Sequence, residues 1–586
     1  MDEVLLPASQ DGNAPLADVP SAVRYPDPSV LALKASQPEA PARARRARKQ
    51  PVGHGVLVAL VAAFAVLLVI IQNAVNAYDN DMWWLLATGK DIVENGIPYT
   101  NPFSMHEGLG IVVQQWLAAV ILYACYSAFG LAGAQMLVFV QQVVLVVCLY
   151  ALCAECRQDK KTGGEINLLL IALSYGALSA YITVRPHLYT MIMFALVLLV
   201  LEKYRHTNNR RWLVLLPVLV CVHANLHSSM AVYDLFIIAL YVIPDVFALL
   251  RRYLLRRHNQ AVAARVRRQA AGDELSAGVG AGRTLSLKPW PFALHEADYS
   301  RLPLLIALVV CAVALLVNPY GINGVLYLVN SYGVAGYSNY INEMGNTGFW
   351  TDYGGFAMAC IVVGSIALGV NGLKRINLPL TLLFAVAIPL SMMHTRNVWL
   401  VAFFAVPLAA QAFSRARLYL QRPRDLHSPL LHGVCAVLLA GIAVAYAAFS
   451  ALPNASTDYE KDSGNVPVVA CDYLDTYVQE TGTDAGSLKI YNSFNNGGYL
   501  EWRGYKVFID PRPELWEPGI TGVDRHYYKE FVDFAQGRTP SKTLIDEYQF
   551  DFLVVYNNSD LAKDMEKYPA YEMVCTGSGY KLWQRR

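Results

Sequence analysis

The chain is dominated by apolar runs, each about as long as a bilayer is thick, separated by short polar loops. Runs of roughly 17–25 residues are typical of membrane-spanning helices. With 55% hydrophobic and only 16% charged residues, the chain is too apolar for a soluble protein. The first span is predicted at 56–71. Later spans are predicted at 131–154, 165–184, 187–203, 212–226, 229–250, 303–319, 354–371, 376–394, 397–414 and 429–452. This pattern predicts a polytopic α-helical membrane protein of about 11 spans.

A further apolar stretch, 111–129, decides the orientation of the chain. If it crossed the membrane, the cluster at 251–268 and most later basic clusters would lie outside. If it lies in the interface, every basic cluster falls on the inner side, as the positive-inside rule requires. These clusters are Lys160/Lys161, Arg210/Arg211, 251–268, Lys374/Arg375 and Arg415/Arg417/Arg422/Arg424. The sequence therefore predicts a cytoplasmic N-terminus and an extracytoplasmic C-terminus.

Composition divides the chain into three parts. Residues 1–52, rich in Ala, Pro and charge, are predicted to form a disordered basic cytoplasmic tail. Residues 53–452 form the transmembrane domain, with a first outer loop at 73–130 and a basic, partly disordered cytoplasmic insertion at 251–302. Residues 453–586 carry turn signals and short alternating apolar runs, which predict a soluble, extracytoplasmic α/β domain.

Within that domain, local patterns predict five strands and two helices. The strands are Leu488–Tyr491, Gly498–Trp502, Lys506–Ile509, Phe552–Tyr556 and Tyr580–Gln584; the helices surround Val468–Gln479 and Asp524–Ala535. Cys471 and Cys575 are the only cysteines of the predicted exterior domain, where oxidation is permitted, so a disulfide between them is one possible arrangement.

The polar residues of the membrane domain map mostly to one end of the predicted spans, on the outer side. They are Asp79, Asp81, Arg185, His187, His223, Asn225, His227, Asn318, Glu343, His394, Arg396 and Asn397. A carboxylate just beyond a membrane helix is costly to bury unless it binds a cation, pairs with a base or acts as one. Asp79 and Asp81 could divide such tasks, or they could belong to an ordinary acidic loop whose Trp83 and Trp84 anchor it at the headgroups.

The remaining candidates each have a functional and a structural interpretation. Arg185, followed by His187, and Arg396 could hold a phosphate, or they could reach lipid headgroups. His223 and His227 lie four residues apart, which suits either a divalent metal or hydrogen bonds between helices. Glu343 could be a second acid, a ligand for metal or acceptor, or an ordinary loop charge. Asp510 and Arg512 could contact an acceptor or form a local ion pair.

Several motifs, taken in order, resemble one family. They are Asp79-Asn80-Asp81-Met82-Trp83-Trp84, Asn101-Pro102-Phe103-Ser104, Arg185-Pro186-His187, Asn225-Leu226-His227, Asn318-Pro319-Tyr320-Gly321, Gly497-Gly498-Tyr499-Leu500 and Asp510-Pro511-Arg512. From about residue 55 onward, the chain resembles a bacterial branch of the GT-C superfamily of integral-membrane glycosyltransferases. It departs from that pattern at Gln114-Gln115-Trp116, where His-Glu-Trp would be expected, so a catalytic role for that segment has no support.

The resemblance implies a polyprenyl-phosphate sugar donor whose tail lies in the bilayer, and a cell-envelope glycan, lipid or protein as acceptor. It assigns Asp79 or Asp81 to support the acceptor's attack. Arg185, His187, His227, Glu343 and Arg396 are the predicted substrate-binding residues, and a divalent metal cofactor is left open. The predicted location is the bacterial plasma membrane, and nothing in the charge pattern indicates nucleic acid.

Two other functions fit the same features. A transporter or flippase for lipid-linked glycans would show repeats and polar groups near the membrane midplane, and the sequence shows neither. A non-catalytic envelope-assembly protein on the same scaffold would not need both loop aspartates. A glycosyltransferase therefore agrees best with the sequence.

Overall fold

Long apolar helices make up most of the structure. The computed structural model describes residues 54–157, 164–178, 181–270, 299–332, 345–348, 351–371, 377–419 and 466–586, with positions 437 and 441 besides. Within these residues, five helical segments are long and apolar enough to cross a membrane: Val56–Val75, Leu131–Cys156, His187–Thr207, Asp352–Asn371 and Thr395–Phe413. Five shorter apolar helices accompany them. The chain is an integral membrane protein, and its span count of 11 stays a prediction.

The described part of the membrane domain contains thirteen helices. They are α1 (His54–Val75), α2 (Asp81–Asn95), α3 (Trp116–Phe129), α4 (Leu131–Cys156), α5 (Gly164–Leu178), α6 (His187–Thr207), α7 (Leu215–Leu226), α8 (Ser228–Ala270), α9 (Leu302–Ala314), α10 (Ile322–Tyr332), α11 (Asp352–Asn371), α12 (Leu378–Met393) and α13 (Val398–Tyr419). Short 3₁₀ turns at Arg210–Val214 and Thr395–Asn397 precede α7 and α13. Among the pairs that pack together are α1 with α5, α4 with α6, α2 with α3 and α11 with α13.

Ten of the predicted spans coincide with helices, and the eleventh, 429–452, lies outside the described residues, as do the predicted tail 1–52 and Glu343. The ambiguous stretch 111–129 contains α3, which has only 14 residues, fewer than a span needs. The first part of the predicted insertion, 251–270, is helical, because α8 continues unbroken to Ala270 through a run without Gly or Pro.

The last described segment, 466–586, is a small α/β unit. Its helices are α14 (Val468–Thr481), α15 (Gly497–Trp502), α16 (Pro518–Thr521), α17 (Tyr527–Ala535), α18 (Ser541–Tyr548) and α19 (Asp560–Met565). Its strands are β1 (Ile490–Asn492), β2 (Phe552–Tyr556), β3 (Tyr571–Gly577) and β4 (Tyr580–Arg585), in the sheet order β1-β2-β4-β3. β1 pairs with β2 in parallel, and the other two pairings are antiparallel.

The strand predictions were partly wrong. β2 and β4 fall where they were predicted, but Gly498–Trp502 forms a helix and Lys506–Ile509 forms only a bridge. Gly497 and Gly498 lie where backbone segments approach each other closely. A Cβ on Gly497 would lie 2.2 Å from the Ile509 carbonyl oxygen, and one on Gly498 would lie 2.9 Å from the Trp84 nitrogen. The two glycines therefore serve close backbone packing, for which a strand pattern is no guide.

The α/β unit packs directly on the first outer loop. The Val507 N–H donates to the Phe103 carbonyl at 2.8 Å, and the Met105 N–H donates to the Val507 carbonyl at 3.0 Å. A second contact joins Gly110, whose N–H donates to the Thr521 carbonyl at 2.9 Å. The segment around Phe103 thus extends the tail unit, and α2 is held between that unit and α3.

Candidate functional site

Asp79, Asp81 and Arg185 form one ionic group. The chain brings them together by a backbone contact, since the Val184 N–H donates to the Ala77 carbonyl at 2.9 Å. Arg185 then donates from Nε to Asp79 Oδ2 at 2.5 Å, and its Nη2 lies 3.0 Å from Asp81 Oδ2. The Asp81 N–H, at the start of α2, donates to Asp79 Oδ1 at 3.0 Å.

This group remains open to ligands. The side chains of Asp79, Asp81 and Arg185 are 18%, 19% and 27% exposed. Two carboxylates facing one guanidinium leave a formal charge of −1, which can attract a cation or accept a proton. Arg185, predicted to bind phosphate, is instead held by both carboxylates, so in this structure its first role is to fix their positions.

The two tryptophans after Asp81 do not anchor the loop at the headgroups. Trp83 is fully buried and packs edge-to-face on Tyr499 with ring centroids 5.0 Å apart. Trp84 lies under Arg512, whose guanidinium carbon is 4.6 Å from the ring centroid. The prediction failed because the tail unit covers this face of α2, which the loop sequence alone does not reveal.

Arg512 makes several of the polar contacts in the part of the tail unit that covers α2. It donates to Asp510 Oδ2 from Nε at 3.1 Å and from Nη2 at 2.5 Å, to Glu501 Oε1 at 3.1 Å, and to Thr88 Oγ1 in α2 at 3.3 Å. All are buried, and burial raises the pKa of the Glu501 carboxyl well above its usual range. The interpretation of Asp510 and Arg512 as a structural ion pair is confirmed; they fasten the tail to α2 rather than face an acceptor.

A cavity of about 270 Å³ lies between α6, α8, α12 and α13. Its wall is mainly aromatic and aliphatic, with Phe194, Phe236, Leu390 and Phe404 among its residues. Its polar lining comes from His187, Tyr233, Arg396 and Asn397. The cavity is therefore amphipathic, apolar along its length with a cationic side chain in its wall.

His187 links this cavity to the ionic group. It is two residues from Arg185, and the charges of both Arg185 and Arg396 act on its ring. Among the described residues, no side chain or backbone group makes a hydrogen bond to the His187 ring, whose one ring contact is with His227 at 5.7 Å between centroids. His187 therefore presents its nitrogens to whatever enters the cavity.

His223 and His227 do not form a metal pair. The helix α7 ends at Leu226, and His227 adopts a non-helical conformation. His223 has both nitrogens engaged, Nδ1 with Asp234 Oδ2 at 2.7 Å and Nε2 with Thr190 Oγ1 at 3.2 Å. In the described part of the chain, no three His, Cys, Asp or Glu side chains are grouped to hold a metal ion.

The remaining sequence candidates are structural. Asn225 accepts from Trp116 Nε1 at 2.9 Å and donates to the carbonyls of Cys221 and Val317, so it ties three segments together. Asn318 caps its own turn by accepting from the Tyr320 N–H. Cys471 and Cys575 are free thiols, so the disulfide is not formed.

Sequence analysis missed two polar residues near the site, Asp234 and Thr190. Asp234 is fully buried in the apolar part of α8 and Thr190 in the first turn of α6. A signal existed for the first, because Asp234 is the only Asp or Glu in 229–243 and an ionisable residue inside a span is itself a functional indication. Thr190 carries no such signal, since a lone Thr is ordinary in a membrane helix.

No family model and no curated protein matches the chain. Among solved structures it is similar to the Archaeoglobus fulgidus oligosaccharyltransferase tethered with an acceptor peptide containing the NVT sequon, with a TM-score of 0.47 and 13% identity over 91% of this chain and 74% of that chain. The same enzyme in complex with Zn and sulfate gives a TM-score of 0.45 and 14% identity, over 91% of this chain and 73% of that chain. ArnT from Cupriavidus metallidurans bound to undecaprenyl phosphate gives a TM-score of 0.45 and 10% identity, over 90% of this chain and 98% of that chain. At these TM-scores the likeness carries no residue role and no substrate to this chain.

Proposed function

We propose that this chain is an integral-membrane glycosyltransferase of the GT-C type, which moves a sugar from a polyprenyl-phosphate donor to a cell-envelope acceptor. The observation that carries the proposal is the juxtaposition of an acidic, partly exposed group with an apolar cavity that has a cationic residue in its wall. A lipid-phosphate sugar has the matching parts: a long apolar tail, an anionic phosphate and a polar sugar.

The cavity would take the donor. Its wall of Phe194, Phe236, Leu390 and Phe404 suits an isoprenoid tail, which needs apolar contact and no hydrogen bonds. Arg396 and His187 would meet the phosphate, because a guanidinium gives paired hydrogen bonds to phosphate oxygens and an imidazole can add another. We assign the phosphate to these two residues rather than to Arg185, which the carboxylates already engage.

The ionic group would act on the acceptor. A hydroxyl or amide that attacks the anomeric carbon must lose its proton. Asp79 and Asp81 are partly exposed carboxylates bonded to Arg185, which lies two residues before the cavity-lining His187. One carboxylate can orient the acceptor while the other takes the proton. Arg185 keeps the two at a fixed separation. The proposal also includes eleven membrane spans, a site on the outer side of the membrane, and Glu343 as a further ligand in an outer loop.

Sugar transfer from radiolabelled polyprenyl-phosphate donors, with protein in liposomes and envelope fractions as acceptor, tests the proposal. Asp79→Asn and Asp81→Asn should stay folded, and at least one should lower turnover by roughly 100-fold or more. Asp91→Asn, on the same helix α2, is the matched control and should transfer as wild type does.

Three results would contradict the proposal. Wild-type transfer by both variants, each well expressed, would remove the two aspartates from the site. Absence of transfer with any donor would end the transferase assignment. Movement of lipid-linked glycan between leaflets in place of transfer would identify a transporter.

A further inference from the structure

Four buried side chains next to the cavity form a continuous hydrogen-bonded line. Asp234 Oδ2 in α8 is 2.7 Å from His223 Nδ1 in α7, and His223 Nε2 is 3.2 Å from Thr190 Oγ1 in α6. Thr190 Oγ1 is in turn 2.8 Å from His227 Nδ1. The line thus joins three helices and ends on His227, whose ring contacts that of His187 in the cavity wall.

The line is isolated from water. Asp234, His223 and Thr190 are 0% exposed and His227 is 6% exposed. Three of the described groups that face it are Phe194, which packs on the His223 ring, Cys311 of α9, which lies within electrostatic range of Asp234, and Arg396, whose charge acts on His227. In the described residues the second oxygen of Asp234, Oδ1, has no hydrogen-bond partner. A carboxyl group buried in this way is costly, so a purely structural role would be better filled by an amide.

Each donor and acceptor in the line depends on the one before. If Asp234 is ionised, His223 donates Nδ1–H to it and accepts the Thr190 hydroxyl at Nε2. Thr190 oxygen then accepts Nδ1–H from His227, whose Nε2 is left with a free lone pair. If Asp234 is protonated, every bond reverses and His227 Nε2 carries a proton. One proton on Asp234 therefore decides whether the His227 end accepts or donates.

We propose that this line is a proton relay which stores, on Asp234, the proton released by the acceptor in the transfer reaction. Asp79 or Asp81 takes the acceptor's proton and passes it to His227 Nε2. His227 Nδ1–H then goes to Thr190 oxygen, the Thr190 hydroxyl proton to His223 Nε2, and His223 Nδ1–H to Asp234. The acceptor oxygen or nitrogen keeps its electron pair for the new bond to the anomeric carbon, and the phosphate leaves with the pair of the broken bond. Both histidines end neutral, and the later return of the proton resets the line.

The relay complements the carboxylate pair. Asp79 and Asp81 are each bonded to Arg185 and keep partial solvent access, so they receive the acceptor. The buried line offers the next destination for the proton, and Asp234, further inside the protein, keeps it.

The test rests on the proposed function and uses full-length protein in liposomes with the same radiolabelled donor. Thr190→Val removes the hydroxyl that joins the two histidines at nearly constant volume, and should lower kcat at least tenfold with the donor KM unchanged. Thr190→Ser restores the hydroxyl and should restore most of that turnover. Thr381→Val in α12 is the matched control for the substitution itself, because among the described residues the Thr381 hydroxyl bonds only the Asn377 carbonyl.

Asp234→Asn separates proton storage from orientation. The amide oxygen can still accept from His223 Nδ1–H, so the geometry is kept, but the amide cannot take up the proton. The relay predicts that kcat falls as far as in Thr190→Val. If Asp234→Asn keeps wild-type kcat, or if Thr190→Val keeps it, the relay is overturned.

A readout without turnover distinguishes failure of the relay from failure of the transferase assignment. In protein labelled with ¹⁵N-histidine, Thr190→Val should change the nitrogen signals of both His223 and His227, because each loses a partner and its fixed tautomer. Unchanged signals would overturn the relay. Changed signals in a protein that transfers no sugar would support the line itself and remove only the proposed reaction.

Discussion

At the residue scale, His106 shows how burial by the tail changes a side chain of the first outer loop. Its ring stacks on Tyr527 with centroids 4.0 Å apart, and its Nε2 lies 3.1 Å from the Phe508 carbonyl oxygen. Burial lowers the pKa of His106 to about 4, against the raising effect of the hydrogen bond to the Phe508 carbonyl. His106 is therefore neutral in the folded protein at neutral pH and donates from Nε2.

This predicts an acid sensitivity with a definite window. The unfolded chain takes up a proton at His106 near pH 6.5 and the folded chain only near pH 4, so stability is complete above the first value and falls as the pH drops toward the second. The loss amounts to about 3 kcal/mol. Thermal unfolding of purified protein across that range measures it.

His106→Gln is the variant that checks this prediction. It keeps a donor for the Phe508 carbonyl and cannot titrate, so its stability should fall less steeply between about pH 6.5 and pH 4. His258→Gln, at an exposed position of α8, is the control and should follow wild type. Identical pH profiles for His106→Gln and wild type would show that His106 is not the group responsible.

The residue scale also shows where sequence reasoning reached and where it stopped. Asp79, Asp81 and Arg185 could be selected as polar residues at span ends, because such positions are costly without a purpose. Their mutual bonding could not be foreseen, since Arg185 contacts Asp79 across 106 residues. Thr190 could not be selected from the sequence for the same reason, because its hydrogen-bond partners are two histidines on another segment.

At the element scale, α2 and α3 approach each other closely at Gly89. A Cβ on Gly89 would lie 2.2 Å from the Ala119 carbonyl oxygen in α3. Gly89→Ala should therefore force the two helices apart, costing about 1–3 kcal/mol and shifting Asp81 and Trp83 with α2. The unfolding temperature and the transfer assay measure the two effects.

Gly355→Ala is the matched control. Gly355 also lies inside a helix, α11, but nothing lies within 4 Å of an added Cβ. Because alanine favours helix more than glycine, this variant should be unchanged or up to about 1 kcal/mol more stable. If Gly89→Ala were as stable as Gly355→Ala, the contact between α2 and α3 would be looser than the structure gives.

Element types were predictable where periodicity and length agreed. The ten described helices that coincide with predicted spans, and strands β2 and β4, follow from apolar runs. The failure at α15, which was predicted as a strand, occurs where two glycines serve close backbone packing. That cause leaves no periodic signal.

At the scale of the whole molecule, the membrane topology is predicted from the opposite positions of the basic and acidic groups in the helix bundle. The basic part of α8 lies at the end remote from Asp234 and the acidic group, which predicts that the acidic group and the tail unit share the outer side. In a cysteine-free background, Lys542→Cys should react with an impermeant maleimide in intact cells. Arg257→Cys should react only after the membrane is permeabilised.

Lys90→Cys gives the internal control, since Lys90 is exposed on α2 and should label together with position 542. Labelling of positions 257 and 542 from the same side would contradict the predicted topology. Labelling of position 90 with 257 would contradict the packing of the tail unit against α2.

The cover of α2 by the tail also has a consequence for biosynthesis. Thr88 and Arg512 are separated by 424 residues, so a ribosome making this chain completes most of the protein between the two. In the predicted topology, the first outer loop crosses the membrane early, and the partners of Trp83 and Trp84 follow only with the last fifth of the chain. The final architecture of the loop therefore depends on the completion of its own translation, and a protein truncated before Arg512 would be inserted in the membrane with that loop unassembled.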